Sequence, residues 1–276
     1  MNKIEVNRLT VQYRDGNGVF TALEDVSFGV KKGEFVSVIG SSGCGKSTLL
    51  GILGGLRRPD VGEVSIDGKK VVGPGPDRSM VFQHYSLFPW MTAWNNVAFG
   101  IKQVQKNLSR KERHNKAAIF LARVGLENFK NKYPGQLSGG MRQRVAIARA
   151  LSMDTEILLM DEPFGAVDAR NRTILQELLL RLWEGTGAGD IVYPPGEGPE
   201  LRDRKTVVFV THDIDEAVLM ADRIIMMSNS PGKISREIAV PFARPRNRAS
   251  LIRTPEYTEL RNELLALFFN DFGSAI

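Results

Sequence analysis

Nine residues, Gly40 to Thr48 (GSSGCGKST), set three glycines, a lysine and several hydroxyls in the pattern GxxxxGK[ST]. Glycines at 40, 43 and 45 let the backbone bend so that the N–H groups of Ser41, Ser42, Gly43, Cys44 and Gly45 converge on one anion. A helix starting at this point adds its positive end. In such a loop Lys46 reaches the β and γ phosphates, and Ser47, followed by Thr48, holds Mg²⁺. A second candidate closes the apolar run EILLMDEP. There Asp161 orients a Mg²⁺-bound water and Glu162 accepts a proton from the attacking water. Two adjacent acids alone read equally well as a solvated turn; on a chain with a phosphate loop they form the hydrolytic half of a triphosphatase. A third, LSGGMRQR, puts Ser138, Gly139 and Gly140 at a helix start. Alone it is an ordinary cap, and beside the other two it is a second anion site.

The elements that must position these groups are readable from the pattern. FVSVI, MVFQ, EILLMD, TVVFVT and RIIMMS are short apolar runs, which suit buried strands of a largely parallel sheet. Alternating runs IEVNRLTVQY, ALEDVSFGV and GEVSIDG suit an antiparallel layer. Between Gln83 and Leu151 the spacing turns helical, in NNVAFGI, RKERHNKAAIFLARVG and GGMRQRVAIARAL. Leu260, Leu264, Leu267 and Phe268 recur at helical spacing near the end, as a terminal helix packed on the core would require.

Composition narrows the class. The 276 residues are 42% hydrophobic, enough for a sizeable core, and no apolar run reaches the ~18 residues that span a bilayer. A net charge of +6 reads as dispersed, with basic pairs such as Arg57 and Arg58 far apart, so the surface is expected to be mixed rather than nucleic-acid binding. The single cysteine excludes an internal disulfide and agrees with a reducing compartment. Its place at a helix start predicts a lowered thiol pKa, although a small residue tolerated at a variable loop position is a simpler reading than a redox role; alkylation there is expected to obstruct nucleotide binding and bound ATP to protect the thiol.

Phosphate loop, LSGG segment and paired acids, in this order along nearly the whole chain, resemble the ATP-binding subunit of an ABC transporter. The resemblance implies an α/β P-loop NTPase core with a mixed, mainly parallel sheet, an antiparallel β subdomain and an inserted helical subdomain. It implies that Tyr13 stacks on adenine, Gln83 senses Mg²⁺ and the attacking water, Asp168 belongs to the D-loop and His212 contacts the γ phosphate. It further implies that two copies sandwich two ATP molecules, so that Ser138 to Gly140 of one completes the site of the other. The boundaries expected are 1–83 with 152–230 for the core and 84–151 for the helical part. An extra surface loop is expected at 185–204 and a C-terminal extension at 231–276.

LFPWMTAWNNVAFG, VTHDIDEAVLMADRIIMMS and the tail with VPFARPRNR look like the importer branch for nitrate, sulfonate, taurine and related small anions. The partners then implied are an integral membrane permease and a solute-binding protein that this chain does not touch. The chain is expected to be cytoplasmic, held to the inner face of the membrane through the permease. Phe88, Trp90, Met91 and Trp94 are candidates for the permease groove, Trp90 first, with packing inside the helical part explaining at least half of them. The competing class is a soluble ABC-type ATPase acting on nucleic acid, which usually carries a coiled-coil insertion or two cassettes. The stretch from Asp168 to His212 is roughly 15 residues longer than the family pattern, the excess lying in the Gly- and Pro-rich loop.

Overall fold

The computed structural model describes residues 2–16, 18–165, 167–184, 204–229 and 231–272. The expected surface loop at 185–204 lies, except for Arg204, outside them. The chain divides into two compact units, Met1–Pro74 with Glu184–Ile276, and Gly75–Trp183.

The first unit begins with β1 (Asn2–Asp15) and β2 (Gly18–Lys31), an antiparallel pair whose inward residues alternate: Ile4, Val6, Leu9 and Val11 against Leu23, Val26, Phe28 and Val30. β3 (Phe35–Ile39) is buried throughout and runs into α1 (Lys46–Leu53). β4 (Val61–Ile66) and β5 (Lys69–Lys70) complete the antiparallel layer in the order β2-β1-β4-β5.

The second unit contains β6 (Arg78–Val81), α2 (Ala93–Val104), α3 (Arg110–Arg123), α4 (Gly139–Ser152), β7 (Ile157–Asp161) and α5 (Ala169–Glu184), whose last residue returns to the first unit. β6 and β7 pair in parallel, Val81 beside Met160. Helices α2, α3 and α4 enclose a core that includes Val97, Ile101, Ala117, Leu121, Val145 and Ala148. Hydroxyl side chains of Thr92, Ser109 and Ser138 cap the three helices by accepting first-turn N–H groups. The charge here is less dispersed than expected: between Lys102 and Lys132, nine Lys and Arg stand against only Glu112 and Glu127.

The chain returns to the first unit with β8 (Thr206–Thr211), α6 (Ile214–Met220), β9 (Arg223–Met227), β10 (Ile234–Ala239), α7 (Arg248–Leu251) and α8 (Pro255–Phe272). β3 lies between β8 and β9, parallel to both, and β10 adds antiparallel to β9. The register sets Ile39, the last residue before the phosphate loop, beside Thr211, the last before His212. Two sequence-distant candidates therefore leave the sheet at neighbouring strand ends, where ligands of parallel sheets are bound. Tyr257, Leu260 and Leu264 of α8 are buried, while Leu267 and Phe268 are half-buried. Among the described residues no helix is long and apolar enough to cross a membrane.

Candidate functional site

The loop after β3 folds as its glycines require. Gly45, at the cap of α1, has φ +94°, and a Cβ there would sit 2.6 Å from Leu23 Cδ2 and 2.8 Å from the Ala22 carbonyl. A Cβ on Gly40 would meet Cys44 Sγ at 2.6 Å, so the loop closes on itself without room for side chains at either position. Lys46 opens α1 with only 5% of its surface exposed, and its ammonium donates to the carbonyls of Gly40 (2.8 Å) and Ser41 (2.7 Å). Ser41 donates in turn to Asn229 Oδ1 at 2.5 Å. The outcome is a buried cation held against two loop carbonyls, with Ser42, Gly43 and Ser47 exposed beside it.

Cys44 departs from expectation. Its side chain is buried, and burial pushes the thiol above its ordinary pKa despite the opposing Lys46 ammonium, 3.8 Å from Sγ. Desolvation of a thiolate wins over the helix end because Sγ points inward, under Gly40, rather than toward the cradle.

Tyr13 is exposed, with the Arg57 guanidinium 3.9 Å from its ring centroid and its hydroxyl 3.1 Å from Thr48 Oγ1. Arg57 covers one face of the ring and Thr48 ties its edge to the cradle helix. His212 is exposed in the turn between β8 and α6, bracketed by Thr211 and Asp213. Thr211 Oγ1 donates to the buried Glu216 carboxylate (2.6 Å) and accepts the Asp213 N–H (3.0 Å).

In the second unit, the ends of the parallel strands β6 and β7 bring Gln83 and Glu162 together: Gln83 Nε2 donates to Glu162 Oε2 at 3.2 Å. Glu162 is held at φ +42°, a left-handed conformation that costs about 1–3 kcal/mol for a residue with a side chain. Asp161, one residue earlier, is buried at 7% exposure. Strained backbone and a hydrogen-bonded neighbour together fix where the Glu162 carboxylate points.

Ser138 caps α4 by accepting the Met141 N–H at 3.3 Å, which leaves its O–H hydrogen to donate elsewhere. The amides of Gly139 and Gly140 lie upstream of the helical ladder. Asp168 accepts from the Asn171 backbone (3.1 Å) and side chain (2.6 Å), and these bonds lower its pKa below the usual carboxylate value. Asn171 Oδ1 also accepts from Arg144 on α4, so the LSGG helix and the Asp168 turn are linked. Sequence reasoning missed Asn171 and Arg144, since a contact 27 residues apart leaves no local pattern. It also missed the half-buried Arg149, whose guanidinium donates to the carbonyls of Ser86 (2.8 Å) and Tyr85 (3.4 Å) just after Gln83.

Of the four candidate contact residues, Trp90 is 69% exposed and stacks at a tilt on Phe88, 5.4 Å between centroids. Trp94 instead belongs to the helical unit, its indole N–H donating to the His114 carbonyl at 2.6 Å. Phe88 and Met91 are half-buried. Asn96, fully buried, binds the Phe88 N–H and the carbonyls of Phe88, Met91 and Thr92, and thereby shapes the segment that presents Trp90.

A phosphate cradle on a parallel sheet, a hydrogen-bonded Gln and Glu beside a buried Asp, and a capped LSGG helix define an ATP-hydrolysing cassette. The family described as ABC transporter matches residues 23–165. The chain is 46% identical to the nitrate import ATP-binding protein NrtD of Synechococcus elongatus over 93% of its own length and 88% of the relative's. It is 43% identical to the bicarbonate transport ATP-binding protein CmpD of Synechocystis sp., over 98% and 90%. Among solved structures, the dimeric post-hydrolysis state of the ATP-binding cassette MJ0796 bound to ADP and Pi superposes with a TM-score of 0.74. That match is 36% identical and covers 87% of this chain and 100% of that one. The chain belongs to the ABC transporter family and is an ATP-binding, ATP-hydrolysing subunit.

Proposed function

We propose that this protein energises the uptake of a small anion of the nitrate or bicarbonate kind, working as a homodimer on the inner face of a membrane beneath a permease. The observation that carries this reading is the pairing of the complete ATPase constellation with 43–46% identity to import subunits for nitrate and bicarbonate along nearly the whole chain. The solute would be selected by the permease and a separate solute-binding protein. Trp90, presented by the Asn96-braced segment, is the proposed permease contact.

In this reading Tyr13 stacks adenine on the ring face opposite Arg57. The loop amides and Lys46 bind the β and γ phosphates, the ammonium trading a loop carbonyl for phosphate oxygen. Ser47 and Asp161 carry the hard oxygen donors that Mg²⁺ prefers, and Mg²⁺ when bound neutralises charge on the phosphates. Glu162, oriented by Gln83, accepts the proton of the attacking water. His212 donates to the γ phosphate. Ser138, Gly139 and Gly140 of the second copy donate to the same phosphate, and Asp168 lies at the seam, so ATP closes the dimer and hydrolysis releases it.

Purification from gently solubilised membranes tests the assignment. An integral membrane subunit should accompany the chain, and Trp90→Ala should weaken that association while ATP binding persists. Recovery with salt-sensitive nucleic acid and no membrane subunit would overturn it.

A further inference from the structure

We infer that Arg246 and Tyr257, both in the C-terminal extension, are positioning residues for His212 and act on it through α6. Helix α6 is only seven residues long, too short to hold its own geometry. Its last carbonyls, which lack partners within a helix, are taken by the VPFARPRNR segment. Arg246 Nη1 donates to Val218 (3.1 Å), Leu219 (3.2 Å) and Ala221 (2.6 Å), and Arg244 Nη2 to Met220 (2.5 Å). Two guanidinium groups thus sit at the negative end of the helix dipole. Arg244 also binds Asp222 Oδ1 (2.7 Å), whose other oxygen accepts the Phe35 N–H (2.9 Å) at the start of β3.

The extension grips the opposite end of α6 as well. Asp215 Oδ1, in the first turn, accepts the Tyr257 hydroxyl and Arg261 Nε, each at 2.7 Å. Tyr257 is 5% exposed, while the Asp215 carboxylate keeps 37% of its surface open, so the bond is part-buried. From that turn the constraint runs inward: Asp213 caps Glu216 N–H at 3.1 Å, Glu216 holds Thr211, and Thr211 holds Asp213. His212 sits inside this bracket, and neither flanking residue can shift unless α6 shifts. Neither Arg246 nor Tyr257 belongs to the phosphate cradle. The route from them to turnover that this bracket provides is the placement of the imidazole.

The proposal rests on the role given to His212 above, and a double-mutant cycle separates the two. Tyr257→Phe removes one oxygen and keeps the packing; Arg246→Met removes the donors to Val218, Leu219 and Ala221. Each should lower kcat about tenfold with KM for ATP changed less than about twofold, and Arg246→Lys should recover part of the loss. Measured by single-turnover hydrolysis in a His212→Ala background, neither substitution should lower the rate further. A loss that persists undiminished in that background, or wild-type kcat in Tyr257→Phe and Arg246→Met, overturns the positioning role. Full turnover in His212→Ala alone shows instead that the histidine assignment is wrong, and the positioning role falls with it. Melting temperatures of all variants identify any that lose turnover through unfolding, and if Arg246→Met unfolds the Tyr257→Phe cycle decides.

Discussion

At the scale of single residues, Glu162 joins a strained backbone to the proposed role of proton acceptor. Its left-handed backbone and its bond from Gln83 are unfavourable or irrelevant for a surface turn, and both make sense for a carboxylate that has to meet a water at one angle. Glu162→Gln should keep ATP bound, because the cradle and Lys46 are untouched, while the hydrolysis rate falls on the order of 10²–10⁴-fold. Nucleotide retention on a desalting column together with a phosphate-release assay checks both halves. Cys44 gives the opposite lesson. Its position in the sequence suggested a reactive thiol, yet the side chain turns under Gly40 and burial raises its pKa. Iodoacetamide at neutral pH should therefore modify the native protein at least about tenfold more slowly than the urea-unfolded chain, as mass spectrometry would show. Equal rates would mean that the loop opens freely. The residue types at both sites were legible in the sequence; the direction in which each side chain points was not, because it depends on partners as far away as Gln83 is from Glu162.

At the scale of elements, strand ends and helix starts do the positioning. The parallel pairs β3 with β8 and β6 with β7 each deliver two candidates to adjacent strand ends, so residues far apart in the chain become neighbours within each unit. The apolar runs that made those strands recognisable are buried throughout β3, β7 and β8, so hydrophobic pattern alone located them. β10 escaped notice because ISREIA is an edge strand with no fully buried residue and no apolar run to announce it. Trp94 was read as a surface candidate because nothing local shows that the His114 carbonyl on another helix receives its N–H. The start of α4 carries a sharper test, since Ser138 both caps the helix and is proposed to meet phosphate. Aspartate caps as well as serine does, but it sets a negative charge against the anion. Ser138→Asp should melt within about 2 °C of the parent protein while its ATPase falls at least about tenfold. If hydrolysis survives, capping is the whole role of Ser138.

At the scale of the whole molecule, the chain carries two helix starts proposed to bind anions, α1 and α4, in separate compact units. The MJ0796 cassette, similar over its full length, forms a dimer in its post-hydrolysis state with ADP and Pi. The sequence motifs led directly to the family and to the proposal of a shared ATP, but the supports beneath them were invisible: Arg144 reaching Asn171, Arg149 bracing the Gln83 loop, Arg246 ending α6. Each of these is a guanidinium donating to a carbonyl oxygen of backbone or amide far along the chain, a contact that no periodicity or spacing encodes. Complementation tests the central claim, that each reaction centre is shared by two copies. Lys46→Ala and Ser138→Asp should each be nearly inactive alone, yet a mixed dimer retains one centre with Lys46 from one copy and Ser138 from the other. On mixing the two variants in equal amounts, ATPase should rise to about a quarter of the parent rate. A mixture that stays as inactive as its components would show that the centre is not shared.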